Sequence, residues 1–264
     1  MAGRIANQGN IVQNGLLFSV DPSKVDSYPR TGNIITNITN TSITGSLING
    51  PVFDPNEYGS IFLDGVNDYI ELNQFRDYMF SCTSAKSNQN IVGAQTINLW
   101  IKISSTAAST SVALSFTDNT LSNYAVLGVG NFTGAYADES FGIIILDGIT
   151  GISVQVYVRK GTTFYYDNKW HNFVYTTSAT GNKVYVDGVE EAVTYAAGNT
   201  STNSVFNPHN IGRTNVGFLL GARWFGGVNL YTRSNCGYFS VYDRALTQSE
   251  VTQNYNAIKG RYGL

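Results

Sequence analysis

Hydrophobic and polar residues alternate along most of the chain. In the segment TINLWIKI (residues 96–103), the odd-numbered positions are isoleucine or leucine, whereas the even-numbered positions are Thr, Asn, Trp and Lys. The segment ISVQVYVR (residues 152–159) alternates in the same way. A period of two predicts β-strands with one buried face. Strands are also predicted at residues 15–21, 60–65, 68–72, 111–116, 141–146, 171–177, 183–188, 217–222 and 236–243.

Turn dipeptides separate these strands. Asp64-Gly65 and Asp187-Gly188 are examples of pairs that accept the positive φ angles of hairpin turns. Residues 170–195 are predicted to form a three-stranded antiparallel meander. Because strands and helices do not alternate regularly, the pattern favours an all-β sandwich or barrel over a parallel α/β fold. We predict one domain over residues 14–264, preceded by a polar arm at residues 1–13.

One helix is predicted, near residues 247–259. Thr247 and Glu250 have the spacing of a capping box, and Gly260 is placed to end the helix. An isolated helix of about 12 residues is marginal in water, so this helix is predicted to dock on the sandwich. Its apolar stripe consists of Val251, Tyr255 and Ile258.

The C-terminal segment GYFSVYDRALTQSEVTQNYNAIKGRYGL resembles the end of laminin G-like domains of the concanavalin A-like lectin/glucanase superfamily. Six other segments resemble the same domains in the same order, namely NGLLFSVDPSKVDSY, GSIFLDGVNDYIEL, TINLWIKI, WHNFVYTT, KVYVDGV and FLLGAR. This resemblance implies a jelly-roll sandwich of two antiparallel sheets. The segment INGPVFDPNEYGSIFLDGVNDYIEL and the terminal NYNAIKGRYGL are most similar to versions from tailed bacteriophages, which implies a virion structural protein.

The composition is polar but weakly charged. Charged residues make up 13% of the chain, against about 25% in an average soluble domain, and the net charge is -2. This balance argues against nucleic-acid binding, which requires a basic surface. No apolar stretch has the length of a secretory signal or a membrane span. We therefore expect synthesis in the host cytoplasm, no membrane insertion, and release of the virion by lysis.

Catalytic chemistry is not expected. The glycoside hydrolases of this superfamily carry two carboxylates on one strand in an E-x-D-x-E pattern, and no glutamate of this chain begins such a pattern. Asp138-Glu139 and Glu190-Glu191 are adjacent pairs, whose members alternate between the two faces of a strand. His171 is interpreted as a packing and hydrogen-bonding residue. The sequence therefore predicts a non-enzymatic protein.

A calcium site is one of two interpretations of the turn LDGVND. Asp64, Asn67 and Asp68 offer oxygen ligands on a single turn, and several laminin G-like relatives hold a structural calcium near their loops. In the other interpretation, Asp64-Gly65 is an ordinary hairpin turn and Asp68 is a cap. No other cofactor is expected.

Carbohydrate binding would require exposed aromatic side chains beside polar groups. The Gly-rich segment ARWFGGVNLYTRSN supplies Trp224, Phe225, Tyr231 and Arg233. Trp100 falls on the polar phase of its strand, and we expect a covering segment to bury it. The sequence thus predicts a contact surface at residues 222–235.

Two functions follow from the resemblance and from these residues. The first is a virion structural protein of a tailed phage, such as a capsid decoration or cement protein that contacts capsid or tail subunits and other copies of itself. The second is a tail-associated or fibre-associated adhesin that binds host surface glycans. The long segments 73–94 and 196–215 are predicted contact regions.

Overall fold

The computed structural model describes residues 11–75, 94–106, 110–117, 123–130, 139–147, 152–159, 165–178, 181–198, 217–224 and 227–264. Most of these residues belong to β-strands, and helix α1 (Gln248–Lys259) lies at the C-terminal end. The strands are β1 (Leu16–Val20), β2 (Ile34–Thr36), β3 (Thr44–Ile48), β4 (Val52–Asp54), β5 (Ser60–Asp64), β6 (Tyr69–Glu71), β7 (Gln95–Ile103), β8 (Thr110–Thr117), β9 (Asn123–Gly130), β10 (Glu139–Asp147), β11 (Ile152–Arg159), β12 (Trp170–Ser178), β13 (Gly181–Val186), β14 (Val189–Glu190), β15 (Val193–Ala197), β16 (Gly217–Leu220), β17 (Arg223–Trp224), β18 (Val228–Asn229) and β19 (Arg233–Tyr242).

The strands form two large antiparallel sheets and one small hairpin. The first sheet has the order β14-β13-β12-β7-β19-β5-β4, and β1 also pairs with β19. The second sheet has the order β15-β11-β10-β9-β8-β16-β6-β3-β2, and β17 pairs with β18 on its own. The predicted jelly-roll sandwich with one C-terminal helix is confirmed.

The inner faces of the two sheets share one hydrophobic core. Across this core, the ring of Phe141 on β10 stacks on the ring of Phe173 on β12, with 4.5 Å between the centroids. Leu99 and Phe239 come from the first sheet, and both are fully buried. Each such side chain stabilises the fold by about 1.5–3 kcal/mol through removal of apolar surface from water.

The predicted meander at residues 170–195 is only partly right. Strands β12 and β13 pair as expected, but the segment that follows them divides into two strands. β14 stays in the first sheet, whereas β15 crosses to the second sheet and pairs with β11. The sequence also did not predict β2, β3, β4 or β9, because strands that are short or contain glycine give little alternation.

Strand β7 is buried on both faces, not on one. Its burial is nearly complete from Gln95 to Ile101, although the even-numbered positions have the polar phase. Trp100 is fully buried because its ring stacks on Tyr255 of helix α1 and on Tyr262, with centroid distances of 5.5 and 4.8 Å. The helix docks on the sandwich and Trp100 is buried, as predicted, and the segment that covers the outer face of this strand is the helix itself with the turn that follows it.

Helix α1 begins as predicted. The Thr247 side chain accepts a hydrogen bond from the backbone of Glu250, and the Glu250 carboxylate accepts one from the backbone N–H of Thr247 at 2.9 Å. The C-terminal end of helix α1 differs from the prediction. Gly260 has right-handed helical angles, so the chain continues into a 3-10 turn over Gly260–Tyr262. The left-handed residue that ends this segment is Gly263, with φ 75°.

The last residues of the predicted polar arm are docked, not free. Ile11 and Val12 are buried between helix α1 and the first sheet. The Val12 amide donates to Oδ1 of Asn254 at 2.8 Å, and the Tyr242 hydroxyl donates to the Val12 carbonyl at 3.1 Å. Residues 1–10 of the arm lie outside the described residues.

Candidate functional site

The turn between β5 and β6 is held by two aspartates. Oδ1 of Asp64 accepts hydrogen bonds from the backbone amides of Val66 at 2.7 Å, Asn67 at 3.2 Å and Asp68 at 3.3 Å. Oδ2 of Asp68 accepts one from the backbone amide of Asp64 at 3.2 Å. The pKa of Asp64 is lowered, chiefly by the Val66 hydrogen bond, and burial raises the pKa of Asp68. These contacts give both carboxylates a role in the turn.

These residues fit a calcium ion poorly. Calcium takes about six to eight oxygen ligands, and here an oxygen of each carboxylate already accepts backbone N–H groups. The backbone oxygen of Asn67 accepts a hydrogen bond from the Asn49 side chain at 2.8 Å. In the part of the chain that the structure describes, no group of three or more His, Cys, Asp or Glu residues could hold a metal. Calcium binding at Asp64, Asn67 and Asp68 stays a prediction.

Arg233 lies beside this turn. It is the first residue of β19 and pairs directly with Asp64 of β5. Its side chain is exposed, and its guanidinium carbon lies 5.3 Å from the centroid of the Phe62 ring. The antiparallel register of β5 and β19 therefore brings the candidate calcium ligands and Arg233 to the same end of these two strands.

The segment between β16 and β19 is anchored at its base. The amide of Thr232 donates to the carbonyl of Gly221 at 2.8 Å, which closes the base of the excursion. The hydroxyl of Thr232 donates to the carbonyl of Val112 at 2.9 Å, and the hydroxyl of Ser115 donates to the carbonyl of Ala222 at 2.7 Å. The two ends of the segment, at Ala222 and Thr232, are therefore fixed to the second sheet.

The aromatic candidates occupy this excursion. Trp224 pairs with Val228 in the β17–β18 hairpin, and its side chain is partly exposed. Tyr231 is also partly exposed, and its hydroxyl donates to the Val228 carbonyl at 3.1 Å. The Tyr231 ring lies 6.3 Å from the ring of Tyr69 on β6. Phe225 lies outside the described residues.

We call this set of side chains the rim. It combines partly exposed aromatic faces with one exposed guanidinium and one carboxylate, and turn residue Val66 beside it is 71% exposed. Aromatic faces stack on the apolar faces of sugars, and charged or hydroxyl groups fix their orientation by hydrogen bonding. The rim residues are Phe62, Asp64, Tyr69, Trp224, Tyr231 and Arg233.

Two members of the rim, Phe62 and Tyr69, were not predicted. Phe62 lies between Ser60 and Asp64 on the outward phase of SIFLD, and Tyr69 shares the outward phase of YIE with Glu71. An aromatic residue on the outward phase of a strand is a signal for an exposed contact surface. The sequence could not indicate that strands so far apart would place these residues beside Tyr231 and Arg233.

The other sequence candidates lie elsewhere. His171 is largely buried between Asp167 and Asp187, in agreement with its predicted packing role. Trp100 is buried under helix α1, as expected. Tyr157, which also falls on the polar phase of its strand, is buried. None of the described helices is long and apolar enough to cross a membrane.

Comparison with known proteins identifies the class. Residues 64–252 match the Laminin_G_3 family model, described as the concanavalin A-like lectin/glucanases superfamily. Because the match covers more than half of the chain, the protein belongs to this family. A comparison with curated proteins finds no matching sequence.

Solved structures support the same fold. A Trypanosoma rangeli sialidase in complex with 2,3-difluorosialic acid has a TM-score of 0.59 at 16% identity, with 94% of this chain and 33% of that chain covered. The receptor-binding domain of botulinum neurotoxin type G has a TM-score of 0.54 at 13% identity, with 92% and 51% covered. The binding domain of Paraclostridial Mosquitocidal Protein 1 has a TM-score of 0.58 at 13% identity, with 92% and 52% covered. This chain thus spans between about a third and a half of those structures, and the likeness shows the fold.

Proposed function

We propose that the protein is a non-enzymatic, lectin-like module that binds carbohydrate through the rim. The observation that carries this proposal is the approach of Tyr231 to Tyr69 of β6, with 6.3 Å between the ring centroids, two residues before the exposed Arg233 at the start of β19. Two of the structural neighbours are binding domains of toxins, which fits a binding role for the fold. The predicted binding residues Trp224 and Tyr231 would supply stacking faces.

A non-catalytic role is part of the proposal. Glu57, Glu190 and Glu250 each form an ion pair with a neighbouring lysine or arginine, at 2.6, 2.8 and 2.7 Å respectively. Each of these carboxylates is paired with a cation, whereas a glycosidase places one carboxylic acid opposite a second carboxylate across the scissile bond. Incubation with a panel of aryl glycosides and polysaccharides should therefore release no reducing sugar.

The binding role is tested on an array of glycans. We expect the wild-type protein to bind a restricted set, and Trp224→Ala and Tyr231→Ala to lose that binding, because stacking on an exposed aromatic ring is lost. Tyr58→Ala is the matched control, since Tyr58 is 45% exposed and lies before β5, at the strand end opposite Asp64. Binding that survives both rim substitutions, or no binding to any glycan, would overturn the proposal.

The proposed setting is the surface of a tailed-phage virion. This setting rests on the resemblance of the terminal NYNAIKGRYGL and of residues 48–72 to phage versions of the domain. In this setting the protein would be a capsid decoration or another displayed virion protein in contact with shell or tail subunits. The low share of charged residues, 13%, suits such contacts, because burial of uncharged polar groups costs less than burial of charges.

Particle composition tests the setting. Hundreds of copies in each purified particle would support a shell position, and about a dozen would support a tail position. A variant that lacks residues 1–10 keeps the docked residues Ile11 and Val12, so a loss of incorporation would assign attachment to the arm and not to misfolding. Absence of the protein from purified particles would contradict the virion setting and would leave the carbohydrate proposal intact.

A further inference from the structure

Arg233 differs from Arg244 and Arg261 in the partners of its guanidinium group. Arg244 forms a bidentate pair with Glu250, at 2.8 and 2.7 Å, and Arg261 forms one with Asp21, at 2.8 and 2.9 Å. These two guanidinium groups are therefore engaged within the fold. Among the described residues, by contrast, no carboxylate lies within ion-pair distance of Arg233.

The acid that pairs with Arg233 across the first sheet is held in place by the turn. Asp64 pairs with Arg233 across β5 and β19, and the charge of Arg233 contributes to the lowered pKa of Asp64. Oδ1 of Asp64 is nevertheless fixed by three backbone amides, the shortest of them at 2.7 Å. A rotation of this carboxylate towards the guanidinium would break those hydrogen bonds. Arg233 is therefore exposed, and no side-chain acceptor among the described residues binds its guanidinium.

The Phe62 ring limits the positions that the guanidinium takes. With 5.3 Å between the guanidinium carbon and the ring centroid, the contact is a cation–π interaction. Because the guanidinium group is planar and presents parallel N–H donors, it matches the two oxygens of a carboxylate in a bidentate pair. An arginine held on a ring is pre-organised for such a pair, so less conformational entropy is lost on binding.

We infer that the rim is selective for acidic glycans, in which a sugar carboxylate binds the guanidinium of Arg233 while the aromatic rings contact the sugar. The inference rests on the proposed carbohydrate-binding function and adds the chemical class of the ligand. The carboxylate belongs to a hexuronic acid or to a sialic acid, since both present the same planar anion. A neutral sugar of the same shape would leave the Arg233 donors to water.

Matched pairs of sugars test the inference. The first pair is polygalacturonic acid and its carboxyl-reduced form, and the second is 3′-sialyllactose and lactose. We expect the wild-type protein to bind the acidic member of one pair at least about tenfold more tightly than the neutral member, in line with a charge-assisted hydrogen bond. Arg233→Gln should remove this preference, and Arg233→Lys should retain part of it, because lysine keeps the charge without the planar fork.

Arg30→Gln is the control. Arg30 is also exposed, and its guanidinium lies 5.6 Å from the centroid of the Phe53 ring, outside the rim. This variant should keep the full preference for the acidic sugar. Melting curves of all three variants should match the wild type, because each altered side chain is exposed.

The outcomes separate the two proposals. Equal binding of acidic and neutral members, lost on Tyr231→Ala but not on Arg233→Gln, would overturn the acidic selectivity and support the carbohydrate proposal. A preference for acidic sugars that persists in Arg233→Gln would also overturn the role of Arg233. Failure to bind either pair, together with a blank glycan array, would overturn both proposals.

Discussion

Nδ1 of His171 lies 2.8 Å from Oδ2 of Asp187, and Nε2 of the same ring lies 3.2 Å from Oδ1 of Asp167. Burial lowers the pKa of His171, but the hydrogen bonds and charges of the two aspartates outweigh burial and raise the pKa above 6.5. Asp187 also accepts the Asn172 amide at 2.8 Å, and the next residue, Gly188, contacts helix α1. The His171 ring therefore ties strand β12 to the hairpin on which the helix rests.

This arrangement predicts a pH-dependent contribution to stability. Because the pKa is higher in the folded protein, the contribution is fully present below the unfolded pKa of about 6.5 and is lost as the pH rises through the folded pKa. Urea unfolding should therefore give the largest difference in free energy between wild type and His171→Gln near about pH 6, and a smaller one near about pH 9. In an Asp187→Asn background the change with pH should be smaller. A difference that grows as the pH rises would contradict the ion-pair assignment.

The capping box of helix α1 has the opposite pH dependence. Hydrogen bonds from Arg244 and Thr247, together with the positive charge of Arg244, lower the pKa of Glu250 to about 2. A lowered pKa stabilises the fold above the unfolded pKa of about 4.3, and this stability is lost as the pH falls through the folded pKa. We expect Glu250→Ala to lower the free energy of unfolding by about 1–2 kcal/mol at pH 7. The same cost at pH 2 as at pH 7 would exclude this mechanism.

A close approach of helix and sheet predicts a second effect on stability. A Cβ atom on Gly237 would overlap the Tyr262 hydroxyl and would lie 2.9 Å from the Trp170 ring. Both neighbours are buried in the cluster under helix α1, so they cannot move away freely. We expect Gly237→Ala to lower the free energy of unfolding by about 1–3 kcal/mol through overpacking.

Gly260 provides the control for this substitution. It has helical angles, with φ -61°, and nothing lies within 4 Å of a Cβ atom added there. Gly260→Ala should be neutral or stabilising by up to about 1 kcal/mol, because alanine loses less backbone entropy than glycine. Equal costs for the two substitutions, measured by urea unfolding, would contradict the packing of Tyr262 against β19.

The melting temperature distinguishes the two interpretations of the β5–β6 turn, a calcium site and an ordinary hairpin turn. The hydrogen bonds of Asp64 and Asp68 favour a turn that holds without metal, so the melting temperature of the wild type should be the same in calcium and in chelator. Asp64→Ala should lower it equally in both conditions, because three backbone amides lose their acceptor. A melting temperature that falls only in chelator would show calcium bound to the native state.

The sequence predicted the features that depend on local order. The alternation of β7, the capping box of Thr247 and Glu250, and the C-terminal motif sufficed for the sandwich and its docked helix. The local sequence pattern could not show that β15 would join the second sheet and not the meander of β12 and β13. Sheet membership depends on which distant strand, here β11, offers a free edge. The rim was predicted only in part for the same reason, since Tyr69 and Phe62 become neighbours of Tyr231 and Arg233 through pairings over more than 150 residues.

Tryptophan fluorescence tests the central claim most directly. The chain has three tryptophans, of which Trp100 and Trp170 are buried and Trp224 is partly exposed on the rim. Titration with a glycan that binds on the array should shift or quench the emission of the wild type to saturation. In Trp224→Phe, which keeps an aromatic ring, the glycan should still bind by calorimetry but leave the emission unchanged. An emission change of the same size in Trp224→Phe, or saturable binding without any change in the wild type, would contradict carbohydrate binding at the rim.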